Sequence, residues 1–77
     1  MSAQANIELD LSGLTCPLPL LKTKQSLNRM AAGEVVKVTA TDPGSERDFQ
    51  VFAEQSGNRL LAFEKAAGKF FYWIEKS

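Results

Sequence analysis

The chain has 77 residues, enough for one domain with one modest core. Its nine basic and nine acidic residues cancel and form no basic stripe, which argues against direct nucleic-acid binding. One cysteine and no histidine exclude an internal disulfide, a Cys–His dyad and the usual zinc ligand sets.

A fold that holds without disulfides suits a reducing compartment, so a cytoplasmic protein is expected. Met1 to Asn6 has neither a basic nor an apolar leader pattern and is expected to be flexible. No apolar run approaches the ~20 residues that span a bilayer, so no membrane association is expected. Residues 1–77 read as a single domain without repeat or linker.

From Ile7 to Leu11, apolar Ile7, Leu9 and Leu11 alternate with Glu8 and Asp10, the pattern of a half-buried strand. Ser12-Gly13 then turns the chain into Leu14-Thr15-Cys16-Pro17-Leu18-Pro19-Leu20. A residue before proline is pushed out of helical geometry, so Cys16 suits a helix N-cap. Pro17 fits the first helical position, and Pro19 still falls where no intrahelical donor is needed. Leu18 also precedes a proline, which predicts a distorted turn. The N–H groups of Leu18 and Leu20 are the remaining donors near the sulfur, and with the helix dipole they favour a thiolate. The competing reading of a lone cysteine is a small buried apolar residue.

The helix is expected from Pro17 to Ala31, with Leu20, Thr23, Leu27 and Met30 inward and Lys22, Gln25, Ser26 and Arg29 outward. Gly33 suits the position just past its end. Leu18 and Leu21 lie off the inner stripe, either packed under the helix start or forming a contact surface beside the thiol. Lys22 and Lys24 could add favourable potential at the sulfur, although solvated lysines are the common case.

Glu34 to Thr41 reads as a strand, and Asp42-Pro43-Gly44 as a turn. A second helix of roughly 11 residues opens at Ser45, which with Asp48 resembles a capping box, and stops at Gly57. Its inner residues are Phe49, Phe52 and Ala53; Arg47 faces an anion, a partner or only solvent.

Arg59 to Lys65 and Lys69 to Lys76 form a hairpin through Ala66-Ala67-Gly68. Alternation separates Phe70, Tyr72 and Ile74 from Phe71 and Trp73, and Leu60 and Ala62 from Leu61 and Phe63. Two helices cover one face of a four-stranded sheet. The other face is therefore expected either to expose Leu61, Phe63, Phe71 and Trp73 as a patch or to pack them across strands. The order βαβαββ predicts an α/β two-layer sandwich, a mixed sheet with both helices on one side and a right-handed crossover around the first helix.

These residues resemble the TusA-like (SirA-like) sulfur-carrier family over about Glu8 to Lys76. The likeness rests on Gly13-Leu14 before Cys16-Pro17-Leu18-Pro19, the family's Cys-Pro-x-Pro signature. It continues through Met30, Gly33-Glu34, Asp42-Pro43 and Arg47-Asp48. The resemblance implies two helices on a four-stranded sheet, like the C-terminal domain of a bacterial translation initiation factor. It implies that Cys16 accepts sulfane sulfur as a persulfide, with Gly13, Leu14, Pro17 and Pro19 positioning it. It further implies a sulfur donor such as a pyridoxal-phosphate-dependent cysteine desulfurase and an acceptor in a sulfur relay. That relay could end in tRNA thiolation, molybdenum-cofactor enzymes or sulfur oxidation.

No cofactor is expected, because the sulfur travels covalently on Cys16, and the protein reads as a carrier more than a turnover enzyme. Leu18, Lys22, Arg47, Phe71 and Trp73 are the expected partner contacts. Two departures stand out: Leu18 occupies a place that is acidic in many relatives, and Gly57-Asn58 replaces a frequent Gly-His pair. The alternative function is a non-catalytic interaction or regulatory module using the open sheet face. RNA binding is a third reading, which the neutral charge disfavours.

Overall fold

The computed structural model describes residues 5–15 and 18–77. The order is β1 (Ile7–Leu11), α1 (Leu18–Asn28), β2 (Val35–Ala40), α2 (Ser45–Ser56), β3 (Arg59–Ala66) and β4 (Lys69–Glu75). The four strands form one mixed sheet in the order β1-β2-β4-β3. β1 runs parallel to β2, while β4 is antiparallel to both β2 and β3. Both helices bury their apolar sides in a single core with one face of the sheet, the expected two-layer arrangement.

That core face follows from the two-residue period of the strands. Cross-strand partners Leu9, Val38 and Tyr72 share it, as do Leu11, Ala40 and Phe70. Leu27 and Met30 reach it from the α1 side, and Phe49 and Phe52 from α2. Phe49 stacks on Tyr72 with centroids 4.4 Å apart. Thr23 is also fully buried on the inner stripe, because its hydroxyl donates to the Pro19 carbonyl four residues back (2.8 Å) and so needs no water.

α1 ends at Asn28, earlier than the periodicity predicts. Beyond it Arg29 N–H donates to Ser26 O (3.0 Å) and Met30 N–H to Leu27 O (3.1 Å), a tightened last turn that still points Met30 inward. Gly33 therefore does not cap the helix. Its positive φ of 91° serves the turn into β2, where its N–H donates to Lys76 O (2.8 Å).

The capping box at Ser45 does not form. Gly44 precedes the helix with no side-chain cap bond, and Ser45 is its first residue. The Ser45 hydroxyl is buried and shares a 2.8 Å hydrogen bond with Tyr72 Oη. A capping hydroxyl must point back along the helix, and this one is drawn into the core by the tyrosine instead.

The hairpin turn contains only Ala67 and Gly68, with Ala66 paired to Lys69. Strict alternation fails in β3. Leu60 pairs with Ile74 and Ala62 with Trp73, so a bulge leaves Leu61 as the extra residue. The bulge shifts parity, and Phe63 pairs with Tyr72 on the core side, its ring 5.2 Å from that of Tyr72. Two large apolar residues of β3, Leu60 and Phe63, thus both serve the core.

Of the two alternatives for Leu61, Phe63, Phe71 and Trp73, an exposed patch or packing across the strands, Phe71 and Trp73 follow the second. Phe63 lies on the opposite face, and Trp73 is only 6% exposed. On the open face Lys37 lies opposite Trp73, and its ammonium sits 5.4 Å from the ring centroids of both Phe71 and Trp73. The aromatics are covered across the strands by an aliphatic stem and its cation.

The flexibility expected of residues 1–6 falls mostly outside the described residues. Asn6 itself is tied to β2, donating through its N–H to Val35 O (2.8 Å) and accepting Val35 N–H at its Oδ1 (2.9 Å).

Candidate functional site

Because β1 and β2 are parallel, both strand-to-helix connections emerge at the same end of the sheet. The β3–β4 turn is also at that end, since Phe70 pairs with Ala40 and with Lys65. The segment carrying the cysteine is the first of these connections. Cys16 and Pro17 lie outside the described residues, so the N-cap and first-position assignments concern positions the structure does not describe. The frame on either side of them is described.

On the β1 side, Asp10 Oδ1 accepts the N–H (3.1 Å) and hydroxyl (2.6 Å) of Ser12, turning the chain as it leaves the strand. These Ser12 bonds hold the exposed Asp10 carboxyl below its usual range, with the Lys69 charge adding to them. Gly13 has φ of 84°, a backbone state that side chains resist, and its N–H donates to Thr41 Oγ1 (2.8 Å). That bond joins the cysteine connection to the one after β2. Leu14 N–H donates to Leu11 O (3.2 Å), and the Leu14 side chain packs against the core.

On the helix side, Leu18 N–H donates to Thr15 O (2.9 Å), so the chain on the two sides of Cys16-Pro17 is held one hydrogen bond apart. This corrects one expectation, because the Leu18 N–H has its own partner and is not a free donor. Pro19 is buried in the first turn of α1. The open alternative for the neighbouring leucines is settled in favour of exposure: Leu18 is 43% exposed and Leu21 48%. They do not pack beneath the helix.

The expected partner contacts separate into three places. Leu18 and Lys22 are exposed together on α1. Arg47 lies on α2 and lines, with Leu20, Lys24, Val51, Phe52 and Gln55, an inter-helix groove of about 370 Å³. Phe71 and Trp73 sit on the sheet face remote from both helices, and Trp73 is buried there. Lys24 turns away from the cysteine connection toward Phe52, its ammonium 5.6 Å from that ring.

Thr41 and Thr15 were not singled out in the sequence. Thr41 meets Gly13 across 28 residues, a pairing that local patterning does not signal. In the second connection Asp42 O accepts Ser45 N–H (3.0 Å), and Asp42 Oδ2 is buried without a hydrogen-bond partner among the described residues. A side chain at Gly44 would begin 3.4 Å from that oxygen, about van der Waals contact.

Asn58, the second departure, has an assignable role. It is buried, and its Oδ1 accepts the N–H (2.9 Å) and hydroxyl (3.1 Å) of Ser77, fastening the chain after β4 to the end of α2. Among the described residues no group of three His, Cys, Asp or Glu side chains is placed to hold a metal ion. No helix among them is long and apolar enough to cross a membrane.

Comparison with known proteins agrees with this architecture. The family model described as Sulfurtransferase TusA matches residues 7–76. A sulfur carrier protein TusA of Allochromatium vinosum is 54% identical over 70 residues, covering 91% of this chain and 92% of the relative. A sulfur carrier protein TusA of Pseudomonas putida is 44% identical over 68 residues, covering 88% of this chain and 85% of the relative. The crystal structure of a SirA-like protein from Desulfitobacterium hafniense superposes with a TM-score of 0.79 at 31% identity, covering 90% of this chain and 95% of that one.

Proposed function

We propose that this chain, which belongs to the TusA sulfurtransferase family, works as a sulfur carrier that holds sulfane sulfur as a persulfide on Cys16. The observation that carries the reading is the likeness, over 88% to 91% of this chain, to proteins named as sulfur carriers, together with an intact Cys16-Pro17-Leu18-Pro19 run.

The chemistry is two thiol exchanges. Cys16 as thiolate attacks the outer sulfur of a donor persulfide; the donor's S–S bond breaks, its thiolate leaves, and Cys16–S–SH forms. An acceptor thiolate then attacks the outer sulfur in turn, and Cys16 departs as thiolate. Each step trades one S–S bond for another, so no external oxidant or reductant is needed. The start of α1 at Leu18, two residues beyond the cysteine, supports this reading, because the positive end of a helix dipole favours a thiolate.

Nothing in the exchange calls for a cofactor on this chain. Turnover belongs to the donor, a cysteine desulfurase or another persulfide-forming protein, and to an acceptor further along the relay. A lone reduced cysteine suits work in the cytoplasm.

Incubation with a cysteine desulfurase and cysteine is expected to add the mass of one sulfur to the intact protein, located at Cys16 by peptide mapping. Cys16→Ser is expected to gain none. Sulfur added elsewhere, or no addition with any of several donors, would overturn the carrier reading.

A further inference from the structure

The β1–α1 connection, in whose sequence Cys16 stands, is tied down unevenly. The bonds of Ser12 to Asp10, Leu14 to Leu11 and Leu18 to Thr15 are all local. Local bonds shape a turn without fixing where it lies on the molecule. The Leu14 side chain packs against the core, but apolar contact is non-directional. The bond from Gly13 N–H to Thr41 Oγ1 is of another kind: it spans 28 residues and joins the connection to the residue that follows β2.

Gly13 is where such a bond counts most. Its φ of 84° lies in the region open to glycine, and a Cβ built there would meet nothing within 4 Å. Neither a side chain nor close neighbours restrain this backbone, so the hydrogen bond is what holds it. The bond is exposed, and water would satisfy both partners if they parted. It therefore adds little to the core, and its effect falls on the placement of the residues that follow Gly13.

We propose that Thr41 is a positioning residue for sulfur exchange, its hydroxyl holding Gly13 so that Cys16, three residues further on, is presented in one orientation. The inference rests on the carrier reading and adds a residue to it. Thr41 acts through the Gly13 backbone and not on the reacting sulfur. Without the bond, Gly13 turns freely and the thiol spreads over several placements. Fewer of these lie at the start of α1, where the helix dipole favours the thiolate.

The test uses two variants of the full chain. Thr41→Val keeps the shape of the side chain and removes the acceptor, whereas Thr41→Ser keeps the hydroxyl. Two rates are read: alkylation of Cys16 by iodoacetamide across the thiol titration, and sulfur loading from inorganic polysulfide. Neither reagent has a protein surface, so docking does not enter. At neutral pH, Thr41→Val is expected to lower both rates by about fivefold, the scale of one exposed hydrogen bond. Its alkylation midpoint moves to higher pH, and the plateau at high pH stays at the wild-type rate. Thr41→Ser restores the wild-type profile, and circular dichroism and melting temperature are the same in all three proteins. Gly13→Ala, which resists the positive φ, is expected to slow both rates as well. Adding Thr41→Val to it costs little more, because both changes break the same bond.

Unchanged rates in Thr41→Val overturn the proposal. So does a Thr41→Ser protein as slow as Thr41→Val, which makes the methyl group and not the hydroxyl the cause. A loss of rate that only accompanies a fall in melting temperature assigns Thr41 to stability, and the proposal falls. Wild-type protein that is alkylated at Cys16 but takes sulfur neither from polysulfide nor from any of several desulfurases overturns the carrier reading instead; the alkylation profiles still decide whether Thr41 places the thiol.

Discussion

Tyr72 concentrates several roles in one side chain. Its ring stacks on Phe49 and lies beside Phe63, and its hydroxyl meets Ser45 in the core. Burial pushes the phenol above its ordinary value near 10; the Ser45 hydrogen bond pulls the other way, and the charges of Glu46, Asp42 and Asp48 push it further up. The folded state therefore holds this proton more tightly than the unfolded chain does. The associated stability is complete below pH 10 and is lost as pH climbs past it. Tyr72 is the sole tyrosine, so urea midpoints above pH 10 should fall further in the wild type than in Tyr72→Phe, in which this titration is missing. At neutral pH, Ser45→Ala should cost about 1–3 kcal/mol by leaving the phenol unsatisfied. Ser45→Ala with Tyr72→Phe should cost less than the two single changes together, as a double-mutant cycle in urea would show.

Among the elements, the β3–β4 hairpin departs furthest from simple alternation. Its two-residue turn needs positive φ at both places, and Ala67 adopts 51° beside Gly68 at 77°. Alanine resists that geometry, whereas asparagine tolerates it. Ala67→Asn should therefore stabilise the fold by roughly 0.5–1 kcal/mol, visible as a higher melting temperature with the sheet unchanged. The bulge at Leu61 does a different job: it turns Phe63 inward and leaves Leu61 exposed at the sheet edge. α1 divides its labour by face. Thr23 and Leu27 hold the core, Pro19 is buried in the first turn, and Leu18 and Leu21 are left exposed on the outer side.

At the scale of the whole molecule, the two sheet faces are unequal. One supports both helices, and the other is closed over by Lys37 lying on Phe71 and Trp73. Trp73→Asp would delete a large ring that is only 6% exposed and strip the cover from the Lys37 stem, so it should destabilise by about 3 kcal/mol or more and unfold a marginal domain. Urea denaturation checks this, and a folded, fully stable Trp73→Asp protein would show that the face is open after all. Loss of activity in that variant reports on folding and does not identify a docking surface. The Gly13–Thr41 bond works at the same scale, linking both strand-to-helix connections at one end of the sheet.

Element order, element type and most of the core were legible in the residues, because the two-residue and 3.6-residue periods reflect which side of each element meets water. The Cys16-Pro17-Leu18-Pro19 run, with the Gly13-Leu14 before it, carried the family likeness on local chemistry alone. Tertiary packing decided what local pattern leaves open. An extra residue in β3 changes parity only against the register set by β4, so Phe63 could be placed only once the strands were paired. Ser45 serves a tyrosine 27 residues away in place of its own helix, and Asn58 fastens Ser77. Leu18 and Leu21 stay outside because the ground beneath α1 is already filled by Thr23, Leu27 and Pro19. A side chain's periodicity records its own preference for the interior, while its final place depends on which neighbours take the limited volume first.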